Sequence, residues 1–304
     1  MSKKKFKSGF VAILGRPNVG KSTLLNGLVK SKVSIISPIP QTTRHQIKGI
    51  LNLDNCQIVF VDTPGIHLFK DKLTAHLNDV AKRSVEGCDL IIYVVDVSRA
   101  IGPEERQLVN ILSRQKIKII MVLNKMDSSK KHLNAYIELW EKEIKKNKIN
   151  NPVLYYIPTS AKRGTNLDKL RDVLVDSLPH GHPYYEPQTL TDFPEKFRIA
   201  DIVREKLFLL LDKEIPHSIA VEVEKIKKKA KIVDIKVNIY VQRTSQKRIV
   251  VGKNGEILKR VGILARQDIE QIFQKQIFLD IWVKVVRDWQ NRPRILKELG
   301  YWWV

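Results

Sequence analysis

The stretch "GRPNVGKS", Gly15–Ser22, decides how the first half of this chain is read. It fits G-x-x-x-x-G-K-[ST], and its setting gives the fit weight: the apolar run "FVAIL" leads into it and a helical pattern over Lys21–Val29 leads out. The glycines let backbone N–H groups face phosphate oxygens with no Cβ between them. The helix start adds the positive end of its dipole. The loop expected to hold a nucleotide triphosphate is therefore Gly15, Arg16, Pro17, Asn18, Val19, Gly20, Lys21, Ser22 and Thr23. Lys21 reaches the β- and γ-phosphates in this reading, and Ser22 ligates Mg²⁺.

Three further short motifs follow at successive strand ends. "VDTPG" offers Asp62 as the Mg²⁺-side carboxylate, with Thr63, Pro64 and Gly65 beside the γ-phosphate, where the Gly65 N–H can donate. "NKMD" offers Asn124, Lys125, Met126 and Asp127. Guanine presents two adjacent donors, N1–H and the N2 amine, and one carboxylate can accept both. Asp127 thus argues for GTP over ATP, and Lys125 packs its stem along the base. "TSAK" closes the set with Ser160, Ala161 and Lys162, the Ala161 N–H facing guanine O6.

Strand candidates Phe10–Gly15, Ile47–Leu53, Gln57–Asp62, Leu90–Val97, Ile117–Asn124 and Val153–Ser160 alternate with helical stretches, and runs such as "IIYVV" are apolar on both faces. That pattern predicts an α/β domain with a mostly parallel sheet over residues 1–178. Leu178–Pro194 carries four prolines and one glycine and reads as a linker, residues 179–194. Residues 195–304 then spell helix, two alternating strands, two helices and a strand, a smaller α+β domain.

This second domain holds "VVGKNGEILKRVG", Val250–Gly262. The glycine pair is not another phosphate loop of the first kind, because it lacks G-K-[ST]. G-x-x-G between two helices is the KH signature, a clamp on about four nucleotides of single-stranded backbone. Gly252 and Gly255 admit the strand, Lys253 and Asn254 meet phosphates, and Lys247, Arg248, Lys259 and Arg260 surround them. Arg243–Arg266 contains seven basic residues and one acid, Glu256. Ile249, Val250, Ile257 and Leu258 are the expected floor for the bases. The element order suits a type II KH domain.

The net charge of +22 attracts polyanions. No apolar run approaches the ~18 residues of a membrane span. Cys56 and Cys88 have no metal or disulfide spacing, and the basic N-terminus lacks a secretory apolar region, so a cytoplasmic location is expected.

Taken together, "GRPNVGKS", "QTTRH", "DTPG", "NKMD" and "TSAK" resemble the TrmE–Era–EngA group of GTPases. "VREKLFLLLDKEIPHSIAVEVE" and "RIVVGKNGEILKRVGILAR" narrow the resemblance to its Era family of bacterial ribosome-assembly GTPases, from about Gly9 to Gly300. The resemblance implies a GTP-hydrolysing switch, cycling between GTP and GDP with Mg²⁺. Its partners are small-subunit rRNA near the 3′ end and the small ribosomal subunit, and the chain acts as a monomer. It implies that "QTTRH" is a switch loop in which Thr42 or Thr43, with Thr43 favoured, contacts Mg²⁺ and γ-phosphate, and that Asn18 can ligate a potassium ion. With Lys21, Thr43, Gly65 and Asn18 around the reacting phosphate, Ile66 stands where Ras-type enzymes carry a water-orienting glutamine, so intrinsic turnover is expected to be slow. A tRNA-modifying GTPase would need a further catalytic domain or a reactive cysteine, and neither is visible. A signalling GTPase on the inner face of the cell membrane is the other alternative: the basic surface permits peripheral contact with anionic lipid, although no anchor stands out.

Overall fold

The structure is a computed structural model that describes residues 5–36, 47–62, 85–148, 150–211 and 215–301. The chain divides into two compact units, the first reaching Asp192 and the second running Phe193–Val304.

In the first unit six strands are ordered β2-β3-β1-β4-β5-β6: β1 (Lys7–Leu14), β2 (Ile47–Leu53), β3 (Cys56–Asp62), β4 (Leu90–Asp96), β5 (Lys118–Asn124) and β6 (Val153–Pro158). All neighbours are parallel except β2, which runs antiparallel to β3. Helices α1 (Lys21–Val29), α2 (Pro103–Leu112), α3 (Leu133–Asn147) and α4 (Leu167–Ser177) cover the faces. The pleat of β1 shows why both faces need cover. Val11 and Ile13 join Leu24, Leu25, Leu170 and Leu174 in one core, while Ala12 and Leu14 join Leu108, Leu112, Tyr136 and Trp140 in another. Every residue of β4 is buried, as a central parallel strand requires. Strands β1, β5 and β6 lead into the loops that carry "GRPNVGKS", "NKMD" and "TSAK", β3 ends at Asp62, and all four run parallel, so the fold gathers these groups at one rim.

The segment read as a linker, residues 179–194, is packed on the first unit through Asp192. Residues 179–192 lie along the first unit: Ser8 N–H donates to Pro179 O (3.2 Å), Gly181 N–H to Phe6 O (3.1 Å) and Ile50 N–H to Leu190 O (2.9 Å). This strap covers the outer edge of β2, which would otherwise expose unpaired backbone groups.

In the second unit α5 (Glu195–Leu210), α6 (Thr244–Val251) and α7 (Glu256–Phe273) pack on a sheet ordered β7-β8-β9. β7 (Ala220–Lys228) is antiparallel to β8 (Ile232–Val241), and β8 is parallel to β9 (Gln276–Val285). A helix not anticipated from the sequence, α8 (Pro293–Glu298), follows. Buried Arg204 on α5 ties this end down, bonding Asp201 at 2.8 Å and the Tyr301 hydroxyl at 2.7 Å. Among the described residues no helix is long and apolar enough to cross a membrane.

Candidate functional site

The phosphate loop runs from the end of β1 to the start of α1, whose first turn is closed by Leu24 N–H on Gly20 O at 2.9 Å. Lys21 is 7 % exposed, and its Nζ donates to the carbonyls of Gly15 (2.9 Å) and Arg16 (3.1 Å). Burial lowers its pKa to about 8 against the opposing pull of the Asp62 and Glu105 carboxylates. Phosphate charge beside such an ammonium restores its preference for the proton.

The metal-side groups meet at the other end of the loop. Ser22 Oγ donates to Asp62 Oδ2 at 2.9 Å, and Asp62 is fully buried at the end of β3. A hydroxyl and a carboxylate, both hard oxygen donors, fit Mg²⁺, which takes one or two protein ligands and fills the rest with water and phosphate oxygens. Ser34, which the motifs did not single out, also donates to Asp62 Oδ2 at 2.9 Å.

On the base side Asp127 Oδ1 accepts the Ser160 hydroxyl at 2.6 Å, and this bond holds its carboxyl below the usual range. The "NKMD" and "TSAK" loops are thus joined. Lys125 spans from the Asn18 carbonyl (2.7 Å) to Asp96 (2.7 Å), a buried carboxylate at the end of β4. Burial pushes the Asp96 pKa up, but bonds from Lys125 and Ser98 outweigh it and the net shift is down.

Two of the expected residues have partners within the protein. The Ala161 N–H donates to Asn124 Oδ1 at 2.9 Å, and Asn124 Nδ2 donates to Val19 O at 2.7 Å. Asn124 is therefore a brace between the phosphate loop and the base loop, and the Ala161 donor is open to a base only by sharing. The Arg16 side chain reaches α2, where Nη1 bonds Glu105 Oε2 at 2.5 Å. Glu105 is completely buried and burial raises its carboxyl pKa, opposed by Arg16. Arg16 serves the loop through its carbonyl, which holds Lys21.

In the second unit the G-x-x-G loop joins α6 to α7. Gly252 has φ +76°, and a Cβ there would strike Ile257, so both backbone shape and close approach require glycine. Lys247, Arg248, Lys253, Asn254, Lys259 and Arg260 are all exposed around it. Gly255 precedes the first turn of α7, whose N–H groups point toward the loop. A groove of 360 Å³ continues from Gly255 between α7 and β9, lined by Leu258, Lys259, Ile263, Arg266, Phe278 and Ile281 among others. Its floor differs from the expected one. Val250 is fully buried in the core and Ile249 is 47 % exposed outside the groove, while Ile263 (42 % exposed) and Phe278 (59 %) take their place.

Thr43, Thr63, Pro64 and Gly65, with Ile66, lie outside the described residues. The residues missed from sequence are Ser34, Asp96 and Glu105 at the nucleotide site and Phe278 at the groove. Only Glu105 left a trace, as an acid in the first turn of a helix reaching back to the Gly102 N–H. Burial holds both Cys56 and Cys88 as thiols, with pKa values pushed up to about 11, so neither is an activated nucleophile.

Comparison with known proteins follows the same division. A family described as "50S ribosome-binding GTPase" matches residues 10–125, and the KH domain family matches residues 214–290. The chain is 45% identical to GTPase Era of Caldanaerobacter subterraneus subsp. tengcongensis over 97% of its own length and 98% of that protein. It is 42% identical to GTPase Era of Geotalea uraniireducens over 99% of its length and 100% of that protein. Among solved structures, Era in complex with MgGDPNP and nucleotides 1506–1542 of 16S ribosomal RNA superposes with TM-score 0.90 at 39% identity, covering 97% of this chain and 99% of that one. A point variant of Aquifex aeolicus Era bound to GDP·AlF4⁻ superposes with TM-score 0.89 at the same identity and coverage. With both domains present in order and matched end to end, the chain belongs to the Era family of GTPases.

Proposed function

We propose that this protein is a GTP-hydrolysing switch that binds small-subunit rRNA near its 3′ end and acts in assembly of the small ribosomal subunit. The observation that carries this is the presence, in one chain matched over its length to Era, of a guanine-type phosphate-loop site and a basic G-x-x-G groove. The Era structure of the same fold holds both a GTP analogue and 16S nucleotides. The match described by the large subunit covers residues 10–125 alone, whereas the 16S assignment comes from a protein matched across both domains.

The residues divide the work. Lys21 and the loop amides bind and orient the β- and γ-phosphates. Asp127, held by Ser160, reads guanine N1–H and N2. Ser22 and Asp62 hold Mg²⁺, with Thr43 completing the contact. Bound Mg²⁺ supplies charge stabilisation on the phosphate oxygens as the γ-phosphoryl leaves. Asn18 is the residue proposed to hold K⁺ beside the same charge. In the second unit Lys253, Asn254 and the α7 N-terminus grip RNA phosphates, and bases lie in the groove past Ile263 and Phe278.

Crosslinking the full-length protein to RNA in cells and sequencing the bound fragments tests this. Enrichment of the 16S 3′ region supports it, and enrichment of tRNA or no enrichment overturns it. Peripheral binding to anionic lipid is a second reading carried by the +22 charge, and co-sedimentation with phosphatidylserine vesicles at physiological salt tests it.

A further inference from the structure

Asp62 is gripped from a direction that the phosphate-loop motif does not account for. Ser34 lies in the segment after α1, is 1 % exposed, and donates its hydroxyl to Asp62 Oδ2 at 2.9 Å. The same oxygen receives Ser22 Oγ at 2.9 Å. Ser34 is itself held from α1. Asn26 Nδ2 donates to Ser34 O at 2.7 Å, and Asn26 Oδ1 accepts the N–H groups of Val33 (2.9 Å) and Ser34 (3.0 Å). Asn26 stands one helical turn after Ser22 on the same face of α1.

We infer that Asn26 and Ser34 are positioning residues for the magnesium-side carboxylate, an inference that rests on the proposed Mg·GTP reading of this site. Ser22 Oγ can ligate a metal through a lone pair while its proton stays on Asp62, but that single bond leaves the carboxylate free to rock about it. Ser34 lies outside the phosphate loop and gives Asp62 Oδ2 a second donor that does not depend on the metal. It keeps the carboxylate oriented whether or not the metal is bound. Asn26 carries no bond to Asp62; it fixes the Val33–Ser34 turn so that the hydroxyl arrives at hydrogen-bond distance. Because Ser22 and Asn26 share α1, the metal ligand and the clamp of its neighbouring carboxylate move as one rigid piece. Ser34 also sits just before residues 37–46, the segment containing Thr43, so the anchor lies at the entry to the expected switch loop.

Release of a fluorescent GDP analogue from the full-length protein, measured across a magnesium titration and in excess chelator, tests the inference without using turnover. In the wild type magnesium should slow release. Ser34→Ala should shift the magnesium concentration for half-maximal slowing upward about tenfold, the loss typical of one hydrogen bond to a charged group. Asn26→Ala should shift it in the same direction, Ser34→Thr should restore it, and release in chelator should stay at the wild-type rate in all three. An unshifted midpoint in Ser34→Ala overturns the inference while leaving the Mg·GTP reading intact. A change in chelator as large as that in magnesium also overturns it, because the defect is then in nucleotide binding at large. A wild type indifferent to magnesium overturns the inference together with the reading beneath it.

Discussion

Gln57 of β3 clasps Tyr185 of the strap: its Nε2 donates to the Tyr185 carbonyl at 2.8 Å and its Oε1 accepts the Tyr185 N–H at 3.0 Å and the Tyr184 N–H at 2.7 Å. Gln57 is 1 % exposed. The strap is pinned again near its end, where Asp192 pairs with Lys48 of β2 at 3.0 Å and accepts the Tyr185 hydroxyl at 2.8 Å. β2 begins where the segment carrying Thr43 ends, and β3 ends at Asp62. The chain that leads out to the second unit is thus fastened to β2 and β3.

Gln57→Leu should cost about 1–3 kcal/mol in the first unit, because it removes three partly buried hydrogen bonds to the strap backbone. Urea unfolding should show a lowered midpoint, and the Tyr184 and Tyr185 amides should exchange with solvent faster. Wild-type protection of both amides would show that the clasp does not hold the strap.

Asp127→Asn should weaken GTP and favour xanthosine nucleotides, since each charge-assisted bond lost costs about 1.5–3 kcal/mol. The Ser160 hydroxyl at 2.6 Å keeps the side chain in place, so the change should appear in base preference rather than in stability. Equal GTP affinity in a calorimetric titration would contradict the guanine assignment.

Turnover should depend on the monovalent cation. With Asn18 holding potassium, replacing K⁺ by Na⁺ at constant ionic strength slows GTP hydrolysis, and Asn18→Ala removes the difference. Equal initial rates in the two salts would exclude the role given to Asn18.

Much of this arrangement is legible in the sequence because it follows from period and spacing. The buried strands announce themselves as β-branched runs, and the four nucleotide motifs fall where strands must end. What escapes is polar burial. Glu105 and Ser34 belong to residue types that normally face water, and only the packing of α2 on the phosphate loop and the Asn26 clamp reveal them inside. The strap escapes for another reason: Gln57 holds backbone groups, so no side-chain pattern over 179–192 marks it. Val250 and Ile249 are adjacent apolar residues, and the rotation of α6 alone decides which one enters the core.

Gly255→Asp should abolish RNA binding with little loss of fold. Gly255 has φ +77° with nothing near the site of a Cβ, and aspartate tolerates that region better than most residues. In the proposed clamp the added carboxylate would face the RNA backbone. With about four phosphate contacts, the wild-type log–log salt slope should be near −3, at ~0.7 per contact. An unaltered RNA affinity in the variant, with its unfolding midpoint also unaltered, would remove the clamp from the glycine loop.

A GTP-driven switch requires its nucleotide and RNA sites to be coupled, and the coupling is read from the RNA affinity of the full-length protein with GDP and with a non-hydrolysable GTP analogue under one salt condition. The two affinities should differ by about 5–150-fold, a coupling of ~1–3 kcal/mol, matched by an equal shift of nucleotide affinity when RNA is added. Equal RNA affinities in the two nucleotide states would contradict it and leave two independent modules on one chain.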